Sequence, residues 1–236
     1  DDKEIIQTSI EIFSNSNFKK GELSISNIEI FFALVDKLSL PLRWKDRIKR
    51  HFCREKYFNQ LLKKLSSNSD INPALVDKDK KIAEKLRKKN SSTIYSGRSV
   101  KDILARFDLK NYKEPRLASD KKNVKIIKEF LKISCPIDKA PELLNKFFKK
   151  NKLNLFIGED YFPVDRKNKK NLKIKFSANI NRSLEYYSGM VFNITVNKNK
   201  KQNVLLSGGR YDGLLKNLGS KKETTAVGAA LNMSLI

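Results

Sequence analysis

The segment Ser207-Gly208-Gly209-Arg210-Tyr211-Asp212-Gly213-Leu214-Leu215 follows directly on the apolar run Val204-Leu205-Leu206. Its adjacent glycines carry no Cβ, so a ligand can lie against their main chain. A Gly-Gly turn alone is weak evidence, and the spacing matches neither the phosphate loop GxxxxGK[ST] nor the dinucleotide fingerprint GxGxxG. Upstream lies Arg182-Ser183-Leu184-Glu185-Tyr186-Tyr187-Ser188-Gly189-Met190-Val191-Phe192, which sets an arginine, a carboxylate and two tyrosines where a strand begins. A guanidinium fork and phenol hydroxyls suit a carboxylate-bearing ligand. Taken alone, the same residues suit better a turn with a surface ion pair and a tyrosine packed over a hairpin. Downstream, Thr225-Ala226-Val227-Gly228-Ala229-Ala230-Leu231-Asn232-Met233 reads as a small-residue strand, expected to be buried in the centre of a sheet. Six of the nine glycines fall from Gly189 to Gly228, so close backbone approach is concentrated there.

Around these segments the side-chain period is two. Leu172, Ile174, Phe176 and Ala178 alternate with Lys173, Lys175 and Ser177, and Met190, Phe192, Ile194 and Val196 alternate again, which predicts strands. An Asn- and Lys-rich turn between Val196 and Val204 makes a hairpin of Met190 to Leu206, and Leu214, Leu215 and Leu218 place a short helix over Tyr211 to Leu218. Toward the N-terminus, Ile5, Ile6, Ile10 and Phe13 form an amphipathic pattern, and Leu23-Ser24-Ile25 alternates as a short strand. Ser26 or Asn27 can cap a helix carrying Ile28, Phe31, Phe32, Val35 and Leu38, which stops before Pro41. Further helices are expected through Leu42, Trp44, Ile48 and Phe52, then with Tyr57, Phe58, Leu61, Leu62 and Leu65 on one side. Others carry Leu75, Ile82 and Leu86, then Ile103, Leu104 and Phe107, then Val124, Ile127, Phe130 and Leu131, and after Pro141 Leu143, Leu144, Phe147 and Phe148. Residues 41–152 thus read as almost wholly helical, and 153–236 as the strands that carry the glycine-bearing segments.

Of 236 residues, 50 are Lys or Arg and 26 Asp or Glu, a formal charge of +24. Nucleic-acid binding is one reading of that balance. Composition is the other: Lys outnumbers Arg by 39 to 11 and Asn occurs 22 times, the bias of an A/T-rich genome. The basic residues are also spread along the chain, as on solvated faces. Aromatic-interleaved basic strands of the RNA-recognition kind are missing, so nucleic acid is not the expected partner. The hydrophobic share of 39% supports a folded core. No apolar run approaches the roughly 20 residues of a membrane span and no secretory pattern opens the chain, so a cytoplasmic protein without membrane contact is expected. Cys53 and Cys135 lack CxxC spacing or a nearby His pair and read as buried thiols, and no metal or cofactor is implied. His51, the single histidine, and Trp44 read as packing residues.

In this order the three glycine-bearing segments resemble the class II histidyl-tRNA synthetases, whose motifs read approximately R-G-L-D-Y-Y-T-G, G-G-R-Y-D-G-L and A-V-G-F-A-x-G-x-E-R. The resemblance implies an α+β fold: a class II synthetase-like antiparallel sheet flanked by helices, with 1–236 the C-terminal portion of one such domain and 41–152 a helical insertion within it. It also implies that Arg182, Tyr187 and Tyr211 bind histidine, with Glu185 and Tyr186 in support and Gly208 and Gly209 as the pocket floor. The chain departs from the family in the third motif. Counting from Gly228 puts Leu235 where the family has an arginine that contacts ATP, and Ser234 where it has glutamate. An alkyl side chain cannot replace a charge-assisted contact of about 1.5–3 kcal/mol, so adenylate formation is not expected.

That departure, together with Leu40-Pro41-Leu42-Arg43-Trp44 after the helix over Ile28 to Phe32, is similar to a paralogous family, the regulatory subunits of ATP phosphoribosyltransferase. The resemblance implies a non-catalytic subunit, required for activity and histidine feedback at the first step of histidine biosynthesis. Its implied partners are the short-form catalytic subunit, in a hetero-oligomer within which this chain self-dimerises, and histidine as effector. The alternative is a fragment of an active histidyl-tRNA synthetase catalytic domain, and the residue at position 235 separates the two. The start at Asp1-Asp2-Lys3, without Met, leads to the expectation of a missing N-terminal part with the first two class II motifs. The end at Ile236 leads to the expectation that an anticodon-binding domain is absent.

Overall fold

The computed structural model describes residues 2–67, 81–95, 97–107, 120–165, 171–180, 186–198, 200–222 and 224–236. In chain order the elements are α1 (Asp2–Ser14), β1 (Gly21–Asn27), α2 (Ile28–Lys37), α3 (Leu42–Arg50), α4 (Glu55–Ser66), α5 (81–87), β2 (Ile94–Tyr95), β3 (Arg98–Ser99) and α6 (Val100–Phe107). There follow α7 (Lys121–Phe130), β4 (Ser134–Pro136), α8 (Ala140–Lys150), β5 (Leu172–Ser177), β6 (Met190–Lys198), β7 (Lys201–Arg210), α9 (Leu214–Asn217) and β8 (Val227–Leu231). They divide into two compact units, Asp1–Leu38 with Ile126–Ile236, and Ser39–Lys125.

The first unit is built on a six-stranded sheet in the order β4-β5-β1-β6-β7-β8. Its pairs are antiparallel except β1 with β5. A parallel pair needs a long crossover, and these two strands are separated by most of the chain. The expected α+β architecture is present, with a mixed sheet rather than a purely antiparallel one.

Alternation divides the faces of the sheet. Leu23 stands beside Ile174 and Ile194, and Ile25 beside Phe176 and Phe192. None of these six is more than 5% exposed. Over this apolar face α1 buries Ile6, Ile10 and Phe13. The Phe13 ring occupies the space of a side chain at Gly21, where a Cβ would come within 2.6 Å of it. On the opposite face Ser24 and Ser26 stand beside Asn193 and Val191, followed by Ser207 and Gly209 on β7 and Ala230 and Gly228 on β8. This second face is small and polar.

Asn27 caps α2 as its residue type predicts, its Oδ1 accepting a hydrogen bond from the Glu29 amide at 2.9 Å. Phe31 of α2 meets Phe130 with ring centroids 6.0 Å apart, and Phe130 stacks on Phe148 of α8 at 6.3 Å. Full burial of each such ring contributes about 1.5–3 kcal/mol. α8 starts with Pro141 in its first turn, where the missing N–H has no helical partner to lose.

In the second unit α3 and α4 bury Trp44, Ile48, Phe58, Leu61, Leu62 and Leu65, with Phe52 edge-on to Phe58 at 5.7 Å. Trp44 is a packing residue with Arg47 over its ring at 4.8 Å, and His51 lies edge-on to Tyr57 at 4.4 Å. Tyr57 departs from its expected burial and is 41% exposed. One residue before Phe58, it is turned about 100° around the helix axis. There a hydrogen bond and the charge of Arg47 hold its phenol below the ordinary tyrosine range.

Several expectations need correction. The stretch 41–152 is interrupted by the pair β2–β3, with Gly97 at φ 77°, and by β4. Residues 126–152 belong to the sheet unit rather than to the compact helical one. Among the described residues β8 is the outermost strand on its side of the sheet, and Ala229 and Ala230 are exposed there, unlike the buried strand expected. Gly228 in it answers to a close neighbour, the Tyr211 hydroxyl. The hairpin turn is tighter than expected, since pairing continues to Lys198 with Lys201. Cys135 is buried but Cys53 only half-buried, and the two are not joined in a disulfide. Leu75 lies outside the described residues. Among the described residues no helix is long and apolar enough to cross a membrane, and no group of three or more His, Cys, Asp or Glu could hold a metal ion.

Candidate functional site

Tyr186 and Tyr187 lie in the turn before β6, and Tyr211 just beyond the end of β7. The hairpin brings them together, with ring centroids 4.9 Å apart for Tyr186 and Tyr187, 5.6 Å for Tyr186 and Tyr211, and 6.4 Å for Tyr187 and Tyr211. Beneath them are two glycines that face each other across β7 and β8, Gly209 and Gly228. A Cβ on Gly209 would stand 2.9 Å from the Tyr187 ring, and one on Gly228 would stand 2.6 Å from the Tyr211 hydroxyl. The two rings therefore use space that any side chain at these positions would fill.

Tyr187 also packs on the buried cluster Ile28, Ile180 and Val191, with Phe32 alongside. Burial, then the charge and hydrogen bond of Tyr186 and the charge of Tyr211, push its phenol up to about 12. It is a neutral hydroxyl throughout the physiological range, able to donate and accept one hydrogen bond with a polar ligand.

Of the other residues expected here, Arg182 and Glu185 lie outside the described residues. Gly208 is on the wrong face for a floor beneath the tyrosines. A Cβ there would run into the main-chain carbonyl of Gly228 and approach the Phe192 ring to 2.8 Å, on the apolar side. Adjacent strand residues point to opposite faces, so only one glycine of the pair can lie under the tyrosines. Gly228 is the second floor residue, and the period-two register of β7 against β8 is the signal that identifies it.

Two further features escaped the sequence reading. Asn193 stands on the same small, polar face between Ser24 and Ser207. Its Oδ1 is buried and has no hydrogen-bond partner among the described residues. Buried acceptors are rarely left so, which makes this oxygen a candidate to receive a donor from a ligand. The second is a polar ring that holds the loop: the Tyr211 amide donates to the Ala226 carbonyl at 2.8 Å, the Ala226 amide to Asp212 Oδ1 at 2.9 Å, and the Asp212 amide to Ser188 Oγ at 3.1 Å.

Leu235 closes the short turn Met233–Leu235, where Asn232 Oδ1 accepts from the Ser234 amide at 3.2 Å and from its hydroxyl at 2.7 Å. Leu235 contributes a carbonyl to Lys198 Nζ at 2.9 Å, and its side chain brings no charge.

The family model described as histidyl-tRNA synthetase matches residues 95–236. The ATP phosphoribosyltransferase regulatory subunit of Allorhizobium ampelinum is 32% identical over 220 residues, which are 86% of this chain and 58% of that protein. A histidine–tRNA ligase of Francisella tularensis subsp. novicida is 45% identical over 62 residues, 26% of this chain and 14% of the ligase. The chain spans 58% to 63% of the length of the regulatory-subunit relatives it matches. The crystal structure of histidyl-tRNA synthetase from Nostoc has the same fold, with a TM-score of 0.56 at 16% identity over 99% of this chain and 44% of that one. Its long matches are to proteins named regulatory subunits, and by the model that covers its C-terminal motifs the chain belongs to the histidyl-tRNA synthetase family.

Proposed function

We propose that this chain is part of a regulatory subunit of ATP phosphoribosyltransferase, without catalytic residues or cofactor of its own, that binds histidine between Tyr187 and Tyr211. One combination carries the reading: two tyrosines over the Gly209 and Gly228 floor, with Leu235 at the place of an ATP-contacting arginine. The phenol hydroxyls match a ligand bearing an imidazole, which donates and accepts a hydrogen bond, and an α-ammonium group, which donates. In this reading Arg182 takes the ligand carboxylate through its planar fork, and Glu185 and Tyr186 support the pocket. The names of the long relatives support a catalytic subunit of ATP phosphoribosyltransferase as the partner. In this reading that subunit is the short form, in a cytoplasmic hetero-oligomer within which this chain self-dimerises. Feedback then requires histidine to bind two states of the complex differently, by a coupling of about 1–3 kcal/mol.

Two measurements test it. Isothermal titration of the full-length protein should detect histidine, with a weaker constant in Arg182→Ala. Purified short-form transferase should gain activity on addition of the subunit and lose it again with histidine. An inert mixture and a flat titration together would sink the proposal.

A second reading is favoured by the 45% identity to a histidine–tRNA ligase over 62 residues. In it the chain is a fragment of an active histidyl-tRNA synthetase. Pyrophosphate exchange dependent on histidine and ATP decides between the two, because Leu235 leaves the first reading without the charge that adenylate formation needs.

A further inference from the structure

We propose that the ion pair between Asp2 and Arg210 is a positioning device for the tyrosine site, through which helix α1 sets the strand end that carries Tyr211 and the turn that carries Tyr187. The histidine-site reading supplies the ligand for this inference, while its geometry stands independently.

Arg210 adjoins Tyr211 in the glycine motif, and its residue type suggests a ligand contact. The alternation of β7 sends it, like Gly208, to the face that α1 covers. There Arg210 Nε donates to both carboxylate oxygens of Asp2, at 2.9 and 3.1 Å, and Nη2 donates to Asp2 Oδ1 at 2.8 Å. The third nitrogen, Nη1, donates to Asp212 Oδ1 at 3.0 Å. The guanidinium is thereby held on two sides, and its donors are directed away from the tyrosine face. Asp2 and Arg210 side chains are 23% and 25% exposed, so water screens this pair less than a fully exposed one.

Each step onward from this pair ends beside a tyrosine. Asp212 follows Tyr211, and its Oδ1 also accepts the Ala226 amide at 2.9 Å. Ala226 in turn accepts the Tyr211 amide at 2.8 Å, which fixes the backbone from which that ring projects. The Asp212 amide donates to Ser188 Oγ at 3.1 Å, and the Ser188 amide donates to the Arg210 carbonyl at 2.8 Å. Ser188 follows Tyr187. Both rings thus hang from one closed set of hydrogen bonds whose anchor outside the motifs is Asp2, 208 residues away in sequence. Arg210 is on this account a positioning residue, and α1 belongs to the site as much as to the core.

The test uses the full-length protein as wild type, Asp2→Asn, Asp2→Glu and Arg210→Lys, each checked for a folded far-ultraviolet dichroism spectrum. Histidine is titrated by calorimetry, and tyrosine ionisation is followed by absorbance. Losing one charge-assisted hydrogen bond should weaken histidine about tenfold in Asp2→Asn, whereas Asp2→Glu restores most of the affinity. Arg210→Lys keeps the charge but loses the fork and falls between them. The late tyrosine step, near pH 12 in the wild type, should move down in Asp2→Asn as water reaches Tyr187. Wild-type affinity or an unchanged late step in Asp2→Asn overturns the proposal. A wild-type protein that binds no histidine overturns the histidine reading instead, and the tyrosine step then decides the positioning role alone.

Discussion

The hydroxyl of Tyr211 stands 2.6 Å from the point where a side chain at Gly228 would begin. The contact is with the far end of a tyrosine, which can swing away. Gly228→Ala should therefore lower stability only slightly, by about 1 kcal/mol or less, while displacing the ring from the site. Thermal unfolding and histidine calorimetry measured side by side check this, and a substitution harmless to both would contradict the packing described.

Gly208→Ala should behave in the opposite way. Its Cβ meets the main-chain carbonyl of Gly228 and the buried Phe192 ring, neither of which can swing aside. Forcing β7 away from β8 should reduce stability by about 1–3 kcal/mol, read from the urea midpoint at unchanged slope.

Tyr187 predicts a pH dependence. Its phenol is raised from the ordinary 10.0 to about 12, so the folded state favours the neutral form. That contribution to stability is fully present below about pH 10 and is lost as pH rises through 12. The urea midpoint should fall less steeply over this window in Tyr187→Phe than in the wild type, and at least one of the seven tyrosines should ionise late in an absorbance titration.

Asn193→Leu should raise thermal stability, because it removes a buried Oδ1 that has no partner among the described residues and whose desolvation costs about 1–3 kcal/mol. Under the proposed function it should also weaken histidine binding. A stabilised variant of unaltered affinity would remove Asn193 from the site.

Asn27→Ala tests the local reading of α2. The cap bond to the Glu29 amide at 2.9 Å is lost, and stability should fall by about 1 kcal/mol with ligand affinity retained.

Much of the architecture was legible along the chain. Leu172, Ile174 and Phe176 are buried on one face of β5 as their alternation implied, and Asn27 caps α2 as its position implied. Tyr187 and Tyr211 meet, which the spacing of two motifs on one hairpin made accessible. Less legible was anything that depended on neighbours from distant strands. The small residues of β8 serve the contacts of Gly228 with Tyr211 and of its carbonyl with the space beside Gly208, which join segments that the sequence does not bring together.

By itself the sequence determined the long helices and strands, a cap at Ser26 or Asn27, the glycine-bearing motifs and the presence of leucine at position 235. All of these follow from local periodicity and residue chemistry. Only the tertiary structure decided that Gly228 rather than Gly208 lies beneath the tyrosines, that β7 lies between β6 and β8, and that Arg210 turns to Asp2. Those facts depend on strand order, register and face, which are set by pairing between segments far apart in the chain, and a single shift of register would exchange one face for the other.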